Sequence, residues 1–211
     1  MLGLSADTLI ARILTLIIAF TIHELAHAWT AVELGDDTPR RMGRLTLNPL
    51  AHLDPIGSLL LIFAGFGWAK PVLTNPYNFR NGPRLGMAIV AAAGPFSNLV
   101  MALIAAIPFR LGLLNSDNQI LGWLTLFLLE FIFLNLILML FNLLPIVPLD
   151  GSKVLRGFAP REWDGWLNPL EQWGPFILMA LVLLGSFGRF SIIGLILSPP
   201  ANFLFRTLIG F

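Results

Sequence analysis

The 211-residue sequence has no cysteine, only three histidines, one tyrosine and just 12% charged residues. Without cysteine there is no disulfide, no thiol nucleophile and no thiolate metal site. The scarcity of charge excludes more. Soluble domains carry about 25% charged residues, and half that share cannot cover a water-exposed globule of this size. A net charge of +1, with no more than two basic residues adjacent, argues against a nucleic-acid partner. The chain opens without a charged leader and small-residue cleavage site, so Met1 onward is read as mature protein.

Apolar residues make up 56% of the chain and the mean hydropathy is +0.81. Leu85–Phe109 is a run of 25 residues without a charge, and Ile120–Leu144 is another 25 with only Glu130. About 20 apolar residues cross a bilayer, so both are expected to be transmembrane helices. A first helix is expected from about Asp7 to Leu34, where Gly35-Asp36-Asp37 ends it. Residues 36–54 are polar, and Arg44–Leu47 alternates polar with apolar as a short strand would. Pro55–Ala69 is uncharged but only 15 residues long, which suits a re-entrant or interfacial segment. Lys70–Arg84 reads as a loop, Asn115–Asn118 as a short turn and 152–172 as a polar loop. Trp173–Gly188 and Phe190–Phe205 are further apolar stretches, the first expected to span and the second to span or dip in.

Loop charges set an orientation. The 36–84 loop carries six Lys or Arg, the 152–172 loop three, and the 110–119 turn only Arg110. Positively charged loops stay in the cytoplasm, which puts the N-terminus outside, with Arg12 the exception to the pattern.

His23-Glu24-Leu25-Ala26-His27 is the sharpest chemical signal. On a helix, residues i and i+4 share a face, so both imidazoles can bind one zinc ion with Glu24 beside it. Zinc lowers the pKa of a coordinated water, and the glutamate accepts its proton. The same pattern occurs by chance in helices, but ionisable groups inside a membrane helix are costly and mark function.

A catalytic zinc site needs a third protein ligand. His52, Asp150 and Glu130 are the candidates. Asp150 follows Asn142-Leu-Leu-Pro145-Ile-Val-Pro148-Leu149, where prolines must break the third span, and it arrives on the same side as His23 and His27. Taken by itself, Leu-Asp-Gly is equally an ordinary turn. Glu130 lies nearer the bilayer centre and is read as a protonated interhelical hydrogen-bonding group. Gly94-Pro95-Phe96-Ser97-Asn98 interrupts the second span, either as a kink with close packing or to offer the Asn98 amide to a peptide.

These segments together resemble the site-2 protease family of intramembrane zinc metalloproteases. The likeness rests on His23–His27, on Gly94-Pro95-x-x-Asn98, and on Asn142-x-x-Pro145 followed by Leu149-Asp150-Gly151. Asn48-Pro49-x-x-His52-x-Asp54-Pro55-x-Gly57 and Gly67-Trp68-Ala69-Lys70-Pro71-Val72 resemble the small prokaryotic members, and the whole covers residues 20–155. The resemblance implies His23, His27 and Asp150 as zinc ligands and Glu24 as general base. It also implies Asn98 and Asn142 as groups that hold the substrate strand or the oxyanion. Val147 departs from the pattern, standing where small members often have a second proline, and no PDZ-like or CBS-like domain fits in 211 residues.

The expectation is therefore an all-α polytopic membrane protein forming one metalloprotease domain over residues 1–211. Its three-helix core runs from about 7 to 155, with one or two membrane segments in 173–211 and short β or re-entrant elements. The expected activity is hydrolysis of peptide bonds in or near transmembrane segments, in a prokaryotic plasma membrane with the site toward the cytoplasm. A helical substrate must first unwind, and its extended strand could then pair with Arg44–Leu47 or Gly67–Val72. The rivals are a metal transporter or sensor, which needs no unliganded Glu24, and a chaperone, which needs no zinc.

Overall fold

A computed structural model describes residues 5–64, 67–114, 118–187 and 191–210. The chain is an all-α polytopic membrane protein. Its long helices are α1 (Ala6–Glu33), α4 (Pro83–Arg110), α5 (Gln119–Asn142), α7 (Asp164–Phe187) and α8 (Ile192–Ile209). Each contains a stretch long and apolar enough to cross a membrane. Three shorter helices lie between them: α2 (Thr38–Arg41), α3 (Pro55–Ala64) and α6 (Asp150–Phe158). At ten residues α3 cannot span a bilayer.

The core is a bundle of α1, α4 and α5, with α6 on α4 and α8 against α5. Small residues make the close approach possible. Ala11, Ala19, Ala28 and Ala31 on α1 are fully buried, as are Ala88 and Ala102 on α4. Ile132, Leu136 and Met139 of α5 close the hydrophobic interior around Ala19, Met101 and Ala102. In this bundle Arg12 of α1 meets Glu130 of α5, with Nε 2.9 Å from Oε2. The interhelical hydrogen bond expected of Glu130 is present, and its partner is the guanidinium of Arg12, the basic residue that ran against the loop-charge pattern.

Two local expectations are corrected. Arg44–Leu47 is not a strand; among the described residues the β structure is a single bridge between Leu53 and Ala69. Local partners take its hydrogen-bonding groups instead: the Thr46 carbonyl accepts from His52 Nε2 at 2.8 Å, and Thr46 Oγ1 accepts from the Asn48 N–H. Residues 152–172 are not a loop but most of α6, a 3₁₀ turn and the start of α7. Charge organises that region, since Arg156 bridges to Glu171 and Asp164, and Arg84 of α4 pairs with Asp164 at 3.0 Å. The turn expected at Asn115–Asn118 and the break near Arg189 fall mostly outside the described residues.

The prolines after α5 act as expected. The helix ends at Asn142, residues 143–149 are turns and bends, and α6 begins at Asp150. Leu149 N–H donates to the Ile146 carbonyl at 2.8 Å, which holds the bend that returns the chain toward α1.

Candidate metal centre

One turn of α1 separates His23 from His27, so their rings lie on one face, and their Nε2 atoms stand 3.0 Å apart. The bend after α5 delivers Asp150 to the same point: Asp150 Oδ2 is 3.2 Å from each Nε2. All three side chains are buried. The rings also need room on α4, and Gly94 provides it. A Cβ at that position would lie 2.4 Å from His27 Nε2 and 2.6 Å from His23 Cε1.

The outer nitrogens fix the inner ones. His27 Nδ1 lies 2.7 Å from the Val90 carbonyl, an acceptor only, so this nitrogen carries the proton and donates. His23 Nδ1 lies 2.7 Å from Asn98 Oδ1 and donates likewise. Asn98 in turn donates from Nδ2 to Asn135 Oδ1 at 3.0 Å, and Asn135 donates to the Phe131 carbonyl at 2.8 Å. Both Nε2 lone pairs are thereby directed toward Asp150. Such outer partners orient metal-bound histidines and raise their basicity.

The donor set fits zinc. Zinc bonds to nitrogen and oxygen of about 2.0–2.2 Å in a tetrahedron place neighbouring ligand atoms about 3.3–3.6 Å apart. The observed separations of 3.0, 3.2 and 3.2 Å come close to that edge. Two neutral imidazoles and one carboxylate leave a fourth position for a non-protein ligand, the arrangement of catalytic rather than structural zinc.

Glu24 is in none of these contacts. It is buried, and its Oε2 accepts from the Val72 N–H at 3.2 Å. Glu24, His23, His27 and Asp150 all line one cavity of about 510 Å³, whose other walls include Trp68, Val72, Phe141, Asn142 and Lys153. The metal trio and an unliganded carboxylate thus face one space large enough for a short stretch of peptide.

The remaining expected residues divide. Asn142 lines the cavity, with Nδ2 donating to the Leu138 carbonyl at 3.0 Å. Asn98 is fully buried with both ends of its amide on His23 and Asn135. His52 is fully buried in the 44–54 segment, and Glu130 is engaged with Arg12; neither belongs to the metal trio. Sequence reading missed Asn135, Lys153 and Arg44. Asn135 could have been found as a lone amide in an otherwise apolar helix. Lys153, with Nζ 3.6 Å from Asp150 Oδ1, lies one helical turn beyond Asp150.

No protein-family model matches the chain, and no solved structure matches it significantly. Curated relatives do. Each bears the name "Putative zinc metalloprotease". YwhC of Bacillus subtilis is 43% identical over 182 residues, 83% of this chain and 82% of that protein. Rip2 of Mycolicibacterium smegmatis is 30% identical over 181 residues, covering 82% of this chain and 66% of the relative. MJ0611 of Methanocaldococcus jannaschii is 34% identical over 98 residues, 46% of this chain and 40% of that protein.

Proposed function

The chain belongs to the zinc metalloprotease family of YwhC and Rip2, and on that premise we propose that it cleaves peptide bonds within or beside the membrane-spanning segments of other proteins. The observation that carries this reading is the convergence of His23, His27 and Asp150 to about 3 Å in a cavity that also holds Glu24, among helices apolar enough to span a bilayer. His23, His27 and Asp150 are the residues that would hold zinc. Bound there, zinc would acidify a water molecule and polarise the scissile carbonyl.

The protein groups have separate tasks. Glu24 accepts the proton of the attacking water and returns it to the leaving amine, a role worth about 10²–10⁴-fold. One carboxylate oxygen is held by Val72, and Oε1 has no hydrogen-bond partner among the described residues. Asn142 faces the cavity and can hold an extended substrate strand through its amide oxygen. Asn98 serves the reaction through His23, whose ring it orients. The Gly67–Val72 segment forms one wall, and a substrate strand laid along it would reach the metal with its carbonyls no longer tied up in helix. The excess of Lys and Arg between α1 and α4 supports a site that faces the cytoplasm of a prokaryotic plasma membrane.

The test is metal content together with cleavage of a model transmembrane substrate in proteoliposomes, with Glu24→Gln as the control. Stoichiometric zinc and cleavage lost in Glu24→Gln, with zinc retained, are the expected results. Zinc bound without any cleavage by the unmodified protein would favour a metal sensor or carrier instead.

A further inference from the structure

The segment from Arg44 to Gly57 supplies no metal ligand, yet its polar groups converge on one short stretch of chain. Arg44 is almost fully buried, 3% exposed, and among the described residues no carboxylate is within ion-pairing distance of it. A buried guanidinium is costly unless its donors are used. Three carbonyls use them: Nη1 donates to Ala51 at 2.6 Å and to Lys70 at 3.1 Å, and Nη2 donates to Pro71 at 2.9 Å. The same stretch is held from other sides. Lys70 N–H donates to the His52 carbonyl at 2.7 Å, Ala69 bridges Leu53, and Gly57 sits where a Cβ would be 2.2 Å from the Trp68 carbonyl oxygen.

The Pro71 carbonyl and the Val72 N–H belong to a single peptide unit. Arg44 donates to one end of that unit, and the other end donates to Glu24 at 3.2 Å. A cation therefore stands at the oxygen of this peptide and the catalytic carboxylate at its hydrogen. A planar amide transmits both orientation and polarisation, and hydrogen bonds in such a chain strengthen one another.

We propose that Arg44 is a positioning residue for Glu24, acting through the Pro71–Val72 peptide, and that the Arg44–Gly57 segment exists to hold that peptide in place. This rests on the reading of Glu24 as general base. By fixing Oε2, the relay leaves Oε1 as the oxygen that meets water in the cavity.

Three changes test it: Arg44→Met, Arg44→Lys, and replacement of Val72 by the corresponding α-hydroxy acid, which turns its N–H into an ester oxygen. In metal-free protein, hydrogen exchange at the Lys70 and Val72 amides should accelerate about tenfold or more in Arg44→Met, with Arg44→Lys between it and the native protein. In the zinc-loaded protein, Arg44→Met and the Val72 ester should each lower kcat by about 10- to 100-fold, the effect of losing one hydrogen bond to a charged group. KM should change by less than about threefold and zinc content should not change. The two changes combined should cost no more than the larger alone, since they cut one relay. Native exchange rates in Arg44→Met, native kcat in the Val72 ester, or additive losses would each overturn the proposal. Should Arg44→Met fail to fold, Arg44→Lys and the ester carry the same test. The exchange measurement stands even if the protein cleaves nothing, so failure of the relay and failure of the proteolytic reading are distinguishable.

Discussion

Gly94 on α4 lies against the His27 ring of α1, so close that a Cβ there would stand 2.4 Å from its Nε2. The helix contact and the proposed zinc site are therefore one feature. Gly94→Ala adds a good helix former to α4 but displaces the ring of a proposed zinc ligand. We expect near-native helix content with zinc affinity lowered about tenfold or more, read by circular dichroism and metal titration. Native zinc affinity would mean that α1 can shift at little cost.

The hydrogen-bond chain from Phe131 through Asn135 and Asn98 to His23 predicts a graded series. Asn98→Ala should weaken zinc binding about 10- to 100-fold, the range for partners that orient a metal-bound histidine. Asn135→Ala should cost less, and the pair should be less than additive because they act on one ring. Zinc titration of the two single variants and the double checks this. Full zinc affinity with loss of cleavage alone in Asn98→Ala would instead make Asn98 a substrate contact.

The three candidate third ligands separate in metal content. Asp150→Asn should lose zinc and activity together, because a neutral amide is a weaker ligand. His52→Ala should keep zinc. Glu130→Gln should also keep zinc but lose stability by about 1–3 kcal/mol, since it leaves the Arg12 guanidinium short of its counter-charge in a partly buried place. Replacing both Arg12 and Glu130 by apolar residues should recover much of that loss. Zinc lost from Glu130→Gln and kept by Asp150→Asn would reverse the assignment.

Asp36 predicts an acid limb in the stability of the loop that frames the site. It is fully buried just after α1, and its carboxylate accepts from Thr38, from the Asn75 N–H at 2.6 Å and from Asn78 Nδ2 at 2.8 Å. Burial opposes ionisation, but these hydrogen bonds outweigh it and hold the carboxyl below its ordinary value. A group lowered on folding stabilises the fold above its unfolded pKa of about 3.9 and loses that contribution as pH falls toward the folded value. Proteolysis of the 36–78 region should therefore increase below about pH 4 in the native protein. Asp36→Ala should be cut more readily at neutral pH, by about 1–3 kcal/mol of local stability, and show a flatter dependence on acid.

Much of this protein is written in local patterns. The uncharged runs on either side of Arg110 are enough to place α4 and α5, and the i, i+4 spacing of His23 and His27 makes them one face of α1 once that helix forms. The prolines between Asn142 and Asp150 stop α5 wherever the segment sits. Patterns of charge and alternation were less reliable. Polar composition made 152–172 look like loop, whereas Arg156, Glu171 and Asp164 hold it in helices by pairing with one another and with Arg84. Alternation made Arg44–Leu47 look like a strand, but its hydrogen-bonding groups find partners across a turn.

The sequence by itself determined the three core helices α1, α4 and α5 and the paired imidazoles of α1, because membrane burial and helical period act within a single segment. Tertiary structure alone decided that Asp150, not Glu130 or His52, completes the trio, 127 residues from His23 along the chain. It also decided that Asn98 turns its amide to a histidine, that Glu130 meets Arg12, and that Arg44 and Glu24 share one peptide. Each of these depends on which groups are brought within about 3 Å when separate helices and loops pack. A buried polar group must take a partner from whatever surrounds it, and no periodicity in the sequence records those surroundings.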